Sequence, residues 1–324
     1  MIIVRAPLRI SLGGGGTDLP GYFLKNSGFV ISAAINKYIT IVINENLKNR
    51  YEIKYSKYEN VLKIDQIKHN IIRESLKCLK VNKGIEISSF SDVPHGTGLG
   101  SSGAFTVCLL KGLYLLKKIK ISNKSLALKA FYIERKILKQ PVGLQDQFTA
   151  AFGGLLKQVY KKNKIIVKNI KINKNIKKNF NKKLLLIYTG ITRYSKKILQ
   201  RQDYLSSKNN EEIIDNLNQI KKIGYQVYNE IINNNFKNYG ELLNDHWQAK
   251  IKIDKKITNK KIKNIISLCI KNNVIGCRVV GAGAGGYILA FANNFKKIKK
   301  VLKKKKILFL PIKLEEIGVK ILDK

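Results

Sequence analysis

The residues whose types and spacing could do chemistry lie between Asp92 and Phe105, in the order Asp-Val-Pro-His-Gly-Thr-Gly-Leu-Gly-Ser-Ser-Gly-Ala-Phe. Gly96, Gly98 and Gly100 have no Cβ, so the backbone can take positive φ and approach a ligand closely. Ser101 and Ser102 stand where a helix N-terminus presents unpaired N–H groups, and such a turn favours a phosphate. The spacing is neither Gly-x-x-x-x-Gly-Lys-Ser/Thr nor Gly-x-Gly-x-x-Gly, and no lysine closes the loop. A glycine-rich loop alone is as readily a tight turn as a nucleotide cradle.

Other stretches carry chemistry of their own. Arg5 and Arg9 interrupt an apolar first strand, and a charged pair on a buried strand demands a partner or a ligand. Four glycines, Gly13 to Gly16, then precede Thr17-Asp18, which reads as backbone held close to something. Thr189 to Lys196 is a polar turn at a strand end, where Arg193 and Lys196 could hold a phosphate or simply form a basic turn. Gly281 to Gly286 lies between two apolar runs and reads locally as a hairpin turn. Glu134, beside Arg135 and Lys136, reads locally as a solvated ion pair.

Pro94 to Ala104 resembles the second motif of the GHMP kinases, the family of galactokinase, homoserine kinase, mevalonate kinase and phosphomevalonate kinase. Ala6 to Asp18 resembles the first motif of that family, and Gly281 to Gly286 its third, with Ala284 in place of a common glycine. The three motifs occur in family order and span nearly the whole chain. The resemblance implies an α+β, two-domain architecture: an N-terminal domain similar to domain 2 of ribosomal protein S5, residues 1–170, and a ferredoxin-like C-terminal domain, residues 171–324. It implies ATP and Mg²⁺ as cofactors. Pro94, Gly96, Gly98, Leu99, Gly100, Ser101, Ser102 and Gly103 then correspond to ATP contacts, and Ser102 and Glu134 to Mg²⁺ ligands. Asp146, in Gly-x-x-Asp-Gln, corresponds to the acid facing the acceptor hydroxyl, with Arg9 as its cation. Gly15, Gly16, Thr17, Asp18, Arg193 and Gly283 correspond to substrate contacts, with Lys196 beside Arg193.

Glycines where many members have Gly-Glu-His are the pattern of the D-glycero-D-manno-heptose 7-phosphate kinase branch. The resemblance therefore implies phosphorylation of that sugar's anomeric hydroxyl, in a pathway toward surface polysaccharide; the alternative is another sugar 1-kinase acting on fucose or a hexose. A different class, an RNA-binding protein on an S5-like scaffold, would draw on the net charge of +41. Against it, Glu134 and Asp146 would place acid in the groove, and the basic stretches lack interleaved aromatics. Abundant Lys, Asn and Ile account for the charge as a compositional bias.

The elements that must position these residues follow from 324 residues that are 44% hydrophobic, enough for a sizeable core and two domains. No apolar run approaches the ~18 residues of a membrane span, so the expectation is a cytoplasmic protein, monomeric or homodimeric, binding ATP and a sugar phosphate but neither nucleic acid nor membrane. Four cysteines without a C-x-x-C pair read as buried free thiols. Hydrophobic periodicity predicts strands at 2–12, 29–35, 38–44, 51–55 and 85–90, and helices at 66–79, 101–116 and 124–138. One or two exposed strands are expected within 161–183. Beyond them come a strand at 184–188, helices near 210–233, 237–251 and 259–271, and strands at 277–280 and 287–291. A last helix containing Lys303 to Lys306 and strands near 307–310 and 319–322 end the chain. His69 reads as a surface residue, His95 as a loop residue, and His246 receives no role.

Overall fold

The computed structural model describes residues 1–192 and 196–323. Two sheets organise it. In the larger, the first strand, Ile2–Gly13, lies between Gly28–Glu45 and the last strand of the chain, Lys320–Asp323. Gly28–Glu45 is one strand of 18 residues, not the two that the alternation suggests. Pro7 faces Tyr38 while Leu8 faces Ile35, so Asn36 and Lys37 bulge out without breaking the ladder. The bulge lets the two ends of the strand serve different neighbours: Gly28 to Ala33 pair with Leu155–Lys161, and Ile39 to Glu45 with Ile85–Ser91.

Tyr51–Lys54 and Tyr58–Val61 extend the sheet beyond Ile85–Ser91. Lys164–Asn169 extends it beyond Leu155–Lys161, so the Lys- and Asn-rich segment supplies a hairpin to the first sheet and then the helix Lys174–Lys182. The smaller sheet, ordered Phe309–Pro311, Leu184–Tyr188, Tyr287–Phe291, Gly276–Val279, is antiparallel throughout.

The helix Ser101–Leu116 is apolar on most sides because it is buried on most sides: Thr106, Val107, Cys108, Leu109, Leu110 and Leu113 are all inaccessible. It packs on the first two strands, with the helices Asn123–Tyr132 and Gln145–Phe152 beside it. The smaller sheet is apolar on both faces. Leu184, Leu186 and Leu289 join the large core with the first sheet, whereas Leu185, Ile187 and Ile288 face a second cluster formed with the helices Lys260–Lys271 and Lys296–Lys304. The helices Glu211–Ile232 and Tyr239–Ile253 pack together, and the first of them also covers the first two strands. The two halves therefore share hydrophobic contacts, and their loops meet. Cys108, Cys269 and Cys277 are buried and Cys78 partly so, all as free thiols. Among the described residues, no helix is long and apolar enough to cross a membrane.

Because Leu186 lies in the shared core, its loss should be felt by both halves. Leu186→Ala is expected to destabilise the protein by about 2–5 kcal/mol, in one cooperative urea transition. Two resolved transitions, with only the later segment shifted, would show that the halves unfold independently.

Candidate active site

The glycine loop and the helix it opens form one wall of a cavity of about 370 Å³, whose other walls include Arg9, Asp146, Lys196 and the loop Gly281 to Gly285. Gly100 sits at the helix N-cap with φ 75°, a conformation that costs an L side chain, and turns the chain so that Ser101 and Ser102 begin the helix. The free amides of the first turn and the positive end of the helix dipole give that end its affinity for anions.

Asp146 approaches from the first turn of the helix Gln145–Phe152. A Cβ on Gly103 would stand 2.7 Å from the Cβ of Asp146, and one on Gly100 would stand 3.2 Å from Oδ2. Only residues without side chains allow the two helix starts to come this close. Arg9 Nε donates to Asp146 Oδ1 at 2.6 Å, and Nη1 donates to the carbonyl of Gly98 at 2.5 Å. The same residue's amide donates to the carbonyl of Leu99 at 3.0 Å. One buried arginine thus joins the first strand, the glycine loop and the acid.

Glu134 lies in a single π-helical turn, Ile133–Ile137, that ends the preceding helix. Such turns widen the helix by one residue and recur at functional sites. Here Arg135 turns outward to pair with Asp203, while Glu134 is fully buried and faces the helix Ser101–Leu116. Ser102 Oγ donates to Glu134 Oε2 at 2.5 Å and Gln147 Nε2 to Oε1 at 3.0 Å. Burial raises its pKa above the usual carboxylate value, against the hydrogen bonds of Ser102 and Gln147. The solvated ion pair expected from the neighbouring basic residues is therefore not formed. A buried carboxylate and a hydroxyl, with no ammonium or guanidinium within 4.0 Å among the described residues, make a donor set that fits a small hard cation.

A smaller cavity of about 80 Å³ adjoins, sharing Arg9, Asp146 and Gly281 with the first and adding Gly15, Gly16 and Asp18. Asp18 is buried, accepts from the amides of Gly16 and Gln145 at 3.1 Å each, and has its pKa raised by burial and by the nearby Asp146 charge. Two buried cations that sequence reading did not single out also line this cavity, Lys250 and Arg278. The signal was present: Lys250 falls on the buried stripe of the helix Tyr239–Ile253, with Leu243, Trp247 and Ile253, and Arg278 is a charge inside an otherwise apolar strand. His246, on the same helix, is fully buried with neither ring nitrogen partnered among the described residues, and its pKa is driven down by desolvation and then by Arg278 and Lys250.

The other expected residues divide. Gly96, Gly98, Gly100, Ser101, Ser102 and Gly283 line the larger cavity. Pro94, Leu99 and Gly103 do not: Pro94 accepts from Thr97, Leu99 is buried, and Gly103 packs against Asp146. Thr17 is corrected as a lining residue. It is fully buried; its hydroxyl donates to the carbonyl of Gly14 at 2.8 Å and accepts from the amide of Phe29 at 3.1 Å, so it shapes the glycine turn from behind. Arg193 lies outside the described residues. His69, expected at the surface, lines the larger cavity, stacks on Phe105 with ring centroids 5.0 Å apart and caps the helix Asn70–Cys78 through Nδ1. His95 lines the cavity as well. The loops at Gly98 and Gly281 touch, a Cβ on Gly281 falling 2.7 Å from Gly98 Cα, so the late glycine run closes over the early one.

Comparison with known proteins shows the family and the fold. Residues 67–154 match the GHMP kinases N terminal domain and residues 228–306 the GHMP kinases C terminal model. The chain is 28% identical over 309 residues to a D-glycero-alpha-D-manno-heptose 7-phosphate kinase of Campylobacter jejuni, covering 91% of each protein. It is 21% identical over 328 residues to a bifunctional fucokinase/GDP-fucose pyrophosphorylase of Arabidopsis thaliana, covering 92% of this chain and 30% of that protein. Its fold matches the crystal structure of a D-glycero-D-manno-heptose 1-phosphate kinase from Bacteroides thetaiotaomicron with a TM-score of 0.82, at 22% identity, over 100% of this chain and 99% of that one.

The contact between Gly103 and Asp146 can be tested directly. Gly103→Ala is expected to push the two helix starts apart and lower the rate of phosphoryl transfer by about 100-fold, as read from coupled ADP release. An unaltered rate would show that their close approach does not matter.

Proposed function

The chain belongs to the GHMP kinase family and is a sugar kinase, and from that premise we propose that it transfers the γ-phosphoryl group of ATP to the anomeric hydroxyl of D-glycero-D-manno-heptose 7-phosphate. The observation that carries the reading is Asp146 lying against the N-terminus of the helix Ser101–Leu116, an acid and an anion cradle in one cavity wall. Phosphoryl transfer needs little else than this: the phosphates held, their charge balanced, and the attacking hydroxyl oriented.

The ATP phosphates lie on the amides of Gly96 to Ser102. The purine lies toward His69, a stacked imidazole whose pKa is lowered chiefly by burial, so that it presents a neutral face. Asp146 Oδ1 is taken by Arg9, which leaves Oδ2 to accept the proton of the acceptor hydroxyl and point its oxygen along the transfer axis. Ser102 and Glu134 would hold Mg²⁺, which when bound neutralises charge on the phosphate oxygens. The acceptor's ring occupies the smaller cavity at Gly15, Gly16 and Asp18, and its own phosphate lies toward Lys196; on the sequence resemblance alone, Arg193 is proposed as a second contact for that phosphate. On this reading residues 1–170 carry the nucleotide and the acid, residues 171–324 close the acceptor side, and the enzyme works in the cytoplasm. The product, a 1,7-bisphosphate, would feed nucleotide-activated heptose for surface polysaccharide.

A coupled assay over sugars with and without a terminal phosphate should show turnover of the heptose 7-phosphate well above fucose, galactose and the unphosphorylated heptose; preference for an unphosphorylated sugar would replace the acceptor while keeping the family. Asp146→Asn should lower turnover by about 100- to 10,000-fold while ATP binding, followed by calorimetry, persists. A fully active variant would remove Asp146 from the chemistry. Glu134→Gln should displace the Mg²⁺ titration of activity to higher concentration, and an unmoved titration would take Glu134 out of the metal site.

A further inference from the structure

The smaller cavity contains more charge than the kinase mechanism uses. Lys250 is 6% exposed and Arg278 1% exposed, and among the described residues neither has a carboxylate within ion-pair distance. Lys250 Nζ donates to the carbonyl of Gly281, and Arg278 donates to that of Ser11, its Nε having no partner among the described residues. Ser11 Oγ and Gln145 Oε1, in the same cavity, are also buried without a partner among the described residues. Asp18 completes the wall, its carboxylate held by two amides and, among the described residues, by no cation.

On the kinase reading given above, we infer that Lys250 is an acceptor-binding residue, whose ammonium donates into the smaller cavity to one hydroxyl of the sugar while Asp18 accepts from another. A tether to the Gly281 carbonyl does not by itself account for a buried ammonium, since a neutral donor could make the same bond without the cost of desolvating a charge. Desolvation, with Arg278 and Arg9 nearby, brings the pKa of Lys250 down to about 7, partly offset by Asp18, so the charged form is disfavoured in the cavity and a ligand that accepts from it would favour it. The ligand class follows from the mixture of groups. An isolated anion would meet Asp18 and Asp146, and an apolar group would strand the free donors, whereas a polyol satisfies Lys250, Arg278 and Ser11 as donors and Asp18 and Gln145 as acceptors together. Lys250 comes from the helix Tyr239–Ile253 of the second half and Asp18 from the first-half glycine turn, so the acceptor would be gripped from both sides of the junction.

The test is steady-state kinetics of Lys250→Met with D-glycero-D-manno-heptose 7-phosphate, or with whichever sugar the wild-type enzyme turns over fastest. The expected result is an acceptor KM raised about 10- to 100-fold with the KM for ATP unchanged. An unchanged acceptor KM, or equal rises in both constants from a displaced Gly281 loop, would overturn it. Lys250→Gln keeps a neutral donor for the Gly281 carbonyl and serves if the methionine variant does not fold: its acceptor KM should also rise, and a wild-type value would show that the charge has no part in binding. If the wild-type protein phosphorylates no sugar, the kinase reading fails and this inference with it. If sugar is turned over and the Lys250 variants behave as wild type, only the role of Lys250 falls.

Discussion

The bond between Arg9 and Asp146 is the constraint on which the site depends. A guanidinium buried on the first strand would be strongly destabilising if left alone, and it is satisfied by one carboxylate and one loop carbonyl. That satisfaction fixes three elements relative to one another: the strand that starts the large sheet, the loop that ends at the helix Ser101–Leu116, and the helix that carries Asp146. Move any one of them and either the arginine loses a partner or the acid leaves the helix N-terminus.

Close backbone packing makes the constraint geometrically feasible. Gly100 and Gly103 let the two helix starts meet, and Gly98 and Gly281 let the two glycine loops meet. The second half of the chain is held in place by the shared core, in which Leu184, Leu186 and Leu289 of the small sheet pack with residues of the large one. The cavity walls are therefore contributed by segments more than 180 residues apart, from Arg9 to Lys196 and Gly283. The net charge of +41 says little about this region, because inside the site cations and carboxylates are interleaved: Arg9 with Asp146, and Lys250 and Arg278 around Asp18.

Local patterning was readable wherever one physical rule dominated. The helix Ser101–Leu116 and the strands Leu184–Tyr188 and Tyr287–Phe291 match the residue ranges drawn from periodicity, because apolar spacing and flanking glycines agree there. The long strand Gly28–Glu45 reads as two from its alternation, since Asn36 and Lys37 look like a turn until a neighbouring strand bridges them. Glu134 looked solvated for the same kind of reason: adjacent residues on a helix face different ways, and nothing local says which of Glu134 and Arg135 points inward. Thr17 looked like part of a binding surface, yet its hydroxyl is used to tie its own turn to the strand at Phe29.

What the sequence determined by itself was the set of chemical parts and their order: three glycine-rich turns, each of which needs backbone freedom that few side chains permit, and the acids and cations spaced between them. These are local requirements, so they are written locally. Only the tertiary structure decided which parts meet. It turned Glu134 inward onto Ser102, set Asp146 against the helix start, and sank Lys250 and Arg278 beside Asp18. Burial and pairing between residues far apart in the chain are properties of the packed core, and no stretch of the sequence contains both partners.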